Sequence, residues 1–465
     1  MPLKICANFN WILYISTFAA NLSFLTYGII LAWNAPTLAK FRSNNTEINP
    51  LGEPLAALQL SICTSILPVA SIVAALGVCK LPDIIGRRKS LIYILLLILA
   101  GFVLVSFVKN FWLYCLIYFV ICSGVAASSI ISPTYTAEIS EASNRGMVCC
   151  FSSIGKTVGQ LYIFVLSPVT NFRYLSICCA IPSLIFLLIS YFIPESPIFL
   201  SMKGREREAL VALKAVRINS KRAVLQTELK EKQDLLQSKG VKDAFKILFK
   251  TRAGKRAFFL TLLVRTCCTT TGINVTLAFV GDFLTEPVNP IVSPDNVAII
   301  LIISKIITAI FCSTFTDKLG RRVFLITGCF LSSASTCCIG VYYLCKQYNL
   351  NFPDSVRIIP TIAIFVFFIG YTLGFSGITY TLLSELLPNE ARTLGSGLVI
   401  CISNVTLFIV SFCYPLITKY LGVHYCMFMF SFMSAISFIL LYIFIPETNG
   451  KSFSEIRTML TNSKM

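Results

Sequence analysis

Charge is scarce in this chain. Only 13% of its 465 residues are Asp, Glu, Lys or Arg, while 56% are hydrophobic and the mean hydropathy is +0.79. So little charge excludes a soluble domain with an ordinary surface-to-core ratio. Histidine occurs once, as His424, beside an apolar run. No nucleophile, base or metal-ligand cluster stands out, so the expectation is no enzyme, no cofactor and no metal. Nineteen cysteines form no CxxC pair. Many lie in apolar runs as adjacent pairs such as Cys178-Cys179 and Cys337-Cys338, which rarely bridge each other and read as small packing residues. A ring-forming filter and an arginine-rich helix are also missing, which argues against a channel. The first apolar run is full length and lacks a cleavage site, so no cleavable signal peptide is expected.

What is present is long apolar sequence. About twelve segments can each cross a ~30 Å hydrocarbon core as a helix of ~20 residues. They lie near 10–33, 55–79, 90–108, 111–139, 147–168, 172–193, 256–284, 295–316, 322–345, 357–384, 393–417 and 422–445. Unpaired backbone groups are costly in lipid, and these runs lack the period-2 alternation of a barrel, so the spans are predicted to be helices. The lipid bilayer is the first partner implied. The formal net charge of +18 suggests nucleic acid only until its distribution is examined. Residues 203–256 carry sixteen Lys or Arg against six acids, and Arg87, Arg88, Lys89, Arg321 and Arg322 join them in loops on one side. By the positive-inside rule that side is cytoplasmic and holds both termini; nucleic-acid binding is not expected.

The chain also repeats itself. Asp83-Ile84-Ile85-Gly86-Arg87-Arg88 returns as Asp317-Lys318-Leu319-Gly320-Arg321-Arg322. Glu138 with Arg145 returns as Glu385 with Arg392, and Pro194-Glu195-Ser196 as Pro446-Glu447-Thr448. Three signatures recurring in order imply a duplicated helical unit of transporter type. The expected organisation is an N-terminal six-helix bundle over 1–200, a cytoplasmic helical linker over 201–255, a C-terminal six-helix bundle over 256–447 and a cytoplasmic tail over 448–465. Asn44-Asn45-Thr46 is a glycosylation sequon in the first external loop.

With these motifs, together with Pro133-Thr134-Tyr135-Thr136-Ala137-Glu138, Gly272-Ile273-Asn274 and Ser384-Glu385, the chain resembles the sugar porter family of the major facilitator superfamily over nearly its whole length. Ala32-Trp33-Asn34-Ala35-Pro36 looks most like the insect facilitated trehalose transporters. The resemblance implies an all-α membrane fold of twelve transmembrane helices, in two six-helix bundles related by a pseudo-two-fold axis. It further implies alternating-access transport of a small sugar, a hexose such as glucose or trehalose, at the plasma membrane without an obligate protein partner. A conformational latch is expected in Asp83, Gly86, Arg87, Arg88, Glu138, Arg145 and Glu195, and again in Asp317, Gly320, Arg321, Arg322, Glu385, Arg392 and Glu447. Its arginines would pair with the glutamates across the cytoplasmic ends of the two bundles when the inside is closed. Residues 10–33 lack the first-span Asp of proton-coupled relatives, which favours facilitated diffusion.

The pocket implied by the resemblance is altered. The family's amides and aromatic residue fall at Ser153, Cys268, Thr269, Asn274, Tyr380 and Ser403, the last next to Asn404; Asn274 is retained, and Lys305 stands where relatives carry Asn or Gln. A mid-membrane cation costs on the order of 3 kcal/mol, so Lys305, like Lys156 and Arg265, must face water, a partner or solute. Two alternatives to sugar transport follow: carriage of an anionic or other non-sugar solute, and a non-transporting sugar sensor.

Overall fold

The computed structural model describes residues 11–45, 48–77, 81–139, 145–216, 241–284, 294–348, 353–388, 391–447 and 453–462. All regular structure among them is helical. The first half contains α1 (Trp11–Phe41), α2 (Ala57–Gly77), α3 (Leu81–Ile85), α4 (Arg87–Val105), α5 (Phe111–Ile139), α6 (Arg145–Leu166) and α7 (Phe172–Ile189). Three short helices follow: α8 (Pro197–Met202), α9 (Glu206–Val216) and α10 (Val241–Lys250). The second half contains α11 (Arg252–Thr270), α12 (Ile273–Ala278), α13 (Val280–Leu284), α14 (Pro294–Leu319), α15 (Arg321–Gln347), α16 (Ile359–Phe375), α17 (Ile378–Leu386), α18 (Arg392–Tyr420), α19 (Val423–Phe444) and α20 (Phe453–Asn462).

Eleven helical segments among the described residues are long and apolar enough to cross a membrane, and Ile154–Val169 is a shorter apolar one at the expected fifth span. Two expected spans are not continuous. The seventh breaks between α11 and α12 at Gly272, whose φ of +80° lies in the left-handed region that favours glycine. The tenth breaks between α16 and α17 around Gly377. An amphipathic linker helix is present as α9, which buries Ala209, Ala212 and Leu213 against Phe199 and Leu200. Residues 217–240 of the expected helical linker lie outside the described residues.

The described chain packs as two compact units whose borders do not follow the two sequence halves. Among the described residues, one unit falls within 1–30, 73–159 and 173–240, and the other within 31–72, 160–172 and 241–465. Within the first, α4 lies along α5. Leu91, Leu95, Ile98 and Phe102 recur at helical spacing and are buried, whereas Tyr93, Leu96, Leu97 and Leu104 are exposed apolar residues suited to lipid. Within the second, α15 packs on α16 and α19. Leu248 of α10 and Leu460 of α20 join the α11 core, where Arg256 donates to the Leu460 carbonyl at 2.7 Å. The tail is therefore partly a docked helix.

Candidate transport pathway and its latches

The duplicated Gly-Arg-Arg motif builds the same device in each half. Gly86 and Gly320 precede α4 and α15 with φ of +104° and +89°. Positive φ is costly for residues with a Cβ, and here a Cβ would also collide with a carboxylate. At Gly86 it would lie 2.5 Å from Glu195 Oε2, and at Gly320 2.7 Å from Glu447 Oε2. Those carboxylates accept backbone N–H groups at the starts of the following helices. The Arg88 amide donates to Glu195 at 2.9 Å, while the Arg321 and Arg322 amides donate to Glu447 at 3.1 and 3.0 Å. A negative group at a helix N-terminus satisfies orphan amides and opposes the positive end of the helix dipole.

The side chains of the first arginines pair elsewhere. Arg87 meets Glu138 at 3.2 Å and Asp83 at 3.0 Å, and its guanidinium lies over the Phe199 ring. Arg321 pairs with Glu385. Glu138 also accepts from the Ser196 hydroxyl, and Tyr135 donates to the Pro194 carbonyl at 2.8 Å. Arg88 and Arg322 reach the carbonyls of Ser190 and Tyr442. Each of these carboxylate pairs lies within its own half of the chain, and Glu195 and Glu447 receive backbone amides in addition to standing beside the arginines. The side chains of Arg145 and Asp317 lie outside the described residues.

At the opposite ends of the helices, polar contacts join segments from both halves within the second compact unit. Arg42, just past α1, pairs with Asp282 of α13 at 2.8 Å and lies over Phe279. Within the first half, Lys40 donates to the Ser167 and Thr170 carbonyls at 3.0 and 2.6 Å. Thr64 of α2 donates to the Ser411 carbonyl of α18 at 2.9 Å. Beneath them lies a cavity of about 20 Å³, lined in part by Asn34, Thr64, Asn274 and Ser411. It has room for about one water.

The chain matches the family model described as "Sugar (and other) transporter" over residues 11–460. The chain belongs to this family. Among curated relatives, the mouse solute carrier family 2, facilitated glucose transporter member 6 is 24% identical, with 97% of this chain and 92% of that protein covered. The Arabidopsis thaliana sugar transporter ERD6-like 15 is 26% identical over 94% and 89% of the two chains. Among solved structures, the inward-open xylose transporter XylE from E. coli superposes with a TM-score of 0.79 at 19% identity, over 96% of this chain and 99% of that one. The major facilitator superfamily proton:xylose symporter XylE bound to 6-bromo-6-deoxy-D-glucose gives 0.75 at 19% identity, over 97% and 100%. This likeness identifies the fold as that of the major facilitator superfamily.

In this family member the expected pocket residues have distinct surroundings. Asn274 lines the small cavity just after the α11–α12 break. Cys268 Sγ is 3.2 Å from the Tyr371 hydroxyl, and Thr269 Oγ1 donates back to the Thr266 carbonyl at 2.8 Å. Ser403 is buried and bonds the Ile400 carbonyl at 3.0 Å; Asn404 beside it is also buried. Lys305 is buried and donates to Gln160 Oε1 at 2.7 Å, with the Phe368 ring centroid 5.3 Å away. Lys156, Arg265 and Arg392 are half-buried, and Asn44 is exposed. The side chains of Ser153 and Tyr380 lie outside the described residues.

Gln160, Arg42 and Asp282 are among the polar residues that sequence reasoning passed over, and Ser196 entered it only as part of a repeated motif. Gln160 had a usable signal: it follows Ser153 by seven residues, two helical turns on the same face. Arg42 and Asp282 had none, being separated by 240 residues.

Proposed function

We propose that the protein carries a small neutral sugar, a hexose such as glucose or the disaccharide trehalose, down its gradient across the plasma membrane by alternating access. The reading places both termini in the cytoplasm and needs no obligate protein partner. The observation that carries it is the duplicated device at the Gly-Arg-Arg turns: two equivalent helix starts, each capped by a glutamate and each beside an arginine–glutamate pair. Two copies of one charged lock, on helices that cross a bilayer, suit a machine whose halves move as bodies. The broken seventh and tenth spans support it, since interrupted helices are tolerated at membrane depth where they are buried in protein or line a water-filled cavity. Sugar as the solute draws on the relatives' named activities and on Ala32–Pro36; downhill transport draws on the absence of Asp and Glu from residues 10–33. Asn274, Thr269, Cys268, Ser403 and Asn404, with Ser153 and Tyr380, are the proposed contacts, and Lys305 the selector. The two-bundle division at 200 and 256, with an intervening cytoplasmic linker, belongs to the same reading.

The test is uptake of labelled glucose and trehalose by cells expressing the protein at a quantified surface level. Saturable uptake that never exceeds equilibrium is expected, and glycosidase-sensitive mobility lost in Asn44→Gln would mark the first loop as external. No uptake of either sugar at normal surface abundance would refute the solute assignment, and accumulation driven by a pH gradient would refute downhill transport.

A further inference from the structure

Midway along α14 the protein bonds to itself at a position where the family resemblance implies a solute contact. Lys305 Nζ donates to Gln160 Oε1 at 2.7 Å, and the two residues are only 8% and 4% exposed. Gln160 comes from α6 in the first half of the sequence and Lys305 from α14 in the second, so the bond ties the halves together inside one compact unit. Arg42–Asp282 and Thr64–Ser411 tie them again toward the end away from the Gly-Arg-Arg turns. A cavity of about 20 Å³ beside the Thr64–Ser411 contact is far below the ~300 Å³ at which ligand pockets begin. These contacts hold the two sequence halves together at this end within the unit.

We propose that Gln160 and Lys305 form a clasp that holds the empty carrier shut at this end, and that an arriving sugar releases it. A buried ammonium needs acceptors in every state of the cycle. In the empty carrier Gln160 supplies one; in the loaded carrier a sugar hydroxyl can accept from Lys305 while another bonds the freed amide of Gln160. The solute then shifts the equilibrium because it replaces a bond that exists only in the shut form. Opening this end is slow when the carrier is empty and faster when sugar occupies the site. The inference rests on the alternating-access reading above.

Two measurements on the full-length protein test it. In liposomes, labelled glucose entry should run about three- to tenfold faster into vesicles preloaded with unlabelled glucose than into empty ones, the range expected for the net contribution of one hydrogen bond. Gln160→Leu should bring that ratio close to one, whereas Gln160→Glu, which keeps the acceptor, should not lower it. An equal ratio in wild type and Gln160→Leu overturns the clasp. Hydrogen exchange on the sugar-free protein needs no transported solute. Gln160→Leu should speed exchange severalfold in 31–41 and 279–284 and slow it around Gly86 and Gly320. Unchanged exchange, or faster exchange at both ends, overturns the clasp in favour of a merely structural bond. If wild type carries no glucose, the sugar reading fails and the hydrogen-exchange result alone decides the clasp.

Discussion

Removing the Glu447 carboxylate should loosen the start of α15 by an amount the geometry bounds. Glu447 accepts two backbone amides, at 3.1 and 3.0 Å, whereas Glu195 accepts one from the equivalent turn, at 2.9 Å, and another from its own neighbour Ser196. A hydrogen bond to a charged group contributes about 1.5–3 kcal/mol when buried. Both glutamates are half-buried, so solvent replaces part of each loss. Glu447→Ala should therefore cost roughly 2–4 kcal/mol, and Glu195→Ala less, because only one of its two amides belongs to the helix start. Glu447→Gln keeps an acceptor oxygen but loses the charge, and should cost about 1 kcal/mol. At about 1–2 °C per kcal/mol for a body of this size, the alanine variant at 447 should unfold roughly 2–8 °C lower. The chain carries its own probe: Cys122, Cys179, Cys267, Cys329 and Cys426 are buried free thiols that a thiol-reactive dye meets only on unfolding. Melting curves recorded with that dye should rank wild type, Glu447→Gln and Glu447→Ala in descending order. Identical melting of the two variants would show that the charge does not hold the turn, and a larger loss in Glu195→Ala would refute the counting of amides.

Glu138→Gln and Glu385→Gln should each slow sugar uptake severalfold with surface abundance preserved, because Arg87 and Arg321 lose charged partners; normal uptake in both variants would dismiss the latch. At the opposite end, Arg42→Gln should change transport no more than about fivefold, since a half-exposed ion pair contributes about 1 kcal/mol or less. Asp282→Asn should match it, and the double variant should equal either single one if the two side chains act as a pair; additive losses would separate them.

Much of the fold was legible because hydropathy and duplication are properties of sequence. Apolar runs of about twenty residues can satisfy their backbone in lipid only as helices, and Gly86 and Gly320 announced their turns by recurring with the same neighbours. The helix breaks were less legible. Gly272 sits in an apolar run that reads as continuous, and a left-handed residue there is visible only in the backbone. The roles of Glu195 and Glu447 were half legible: their repetition beside arginines suggested ion pairs, while the amides they cap become apparent only when the chain returns to the turn. In the pathway, Asn274 stood out as the one retained amide. Lys305 stood out as a cation, but its partner did not, because nothing in α14 says which of many apolar neighbours will carry Gln160.

Three helices of the first half, α1, α2 and α6, each divide their length between the two compact units. This has a consequence for biogenesis. Asn34 and Thr64 lie in segments whose packing partners include Asn274 and Ser411, and Gln160 waits for Lys305. A ribosome that has completed the first six spans has therefore delivered polar side chains into the membrane well before the residues that accommodate them exist. The first half leaves the insertion machinery with its assembly unfinished. Its maturation is completed only by chain that emerges later.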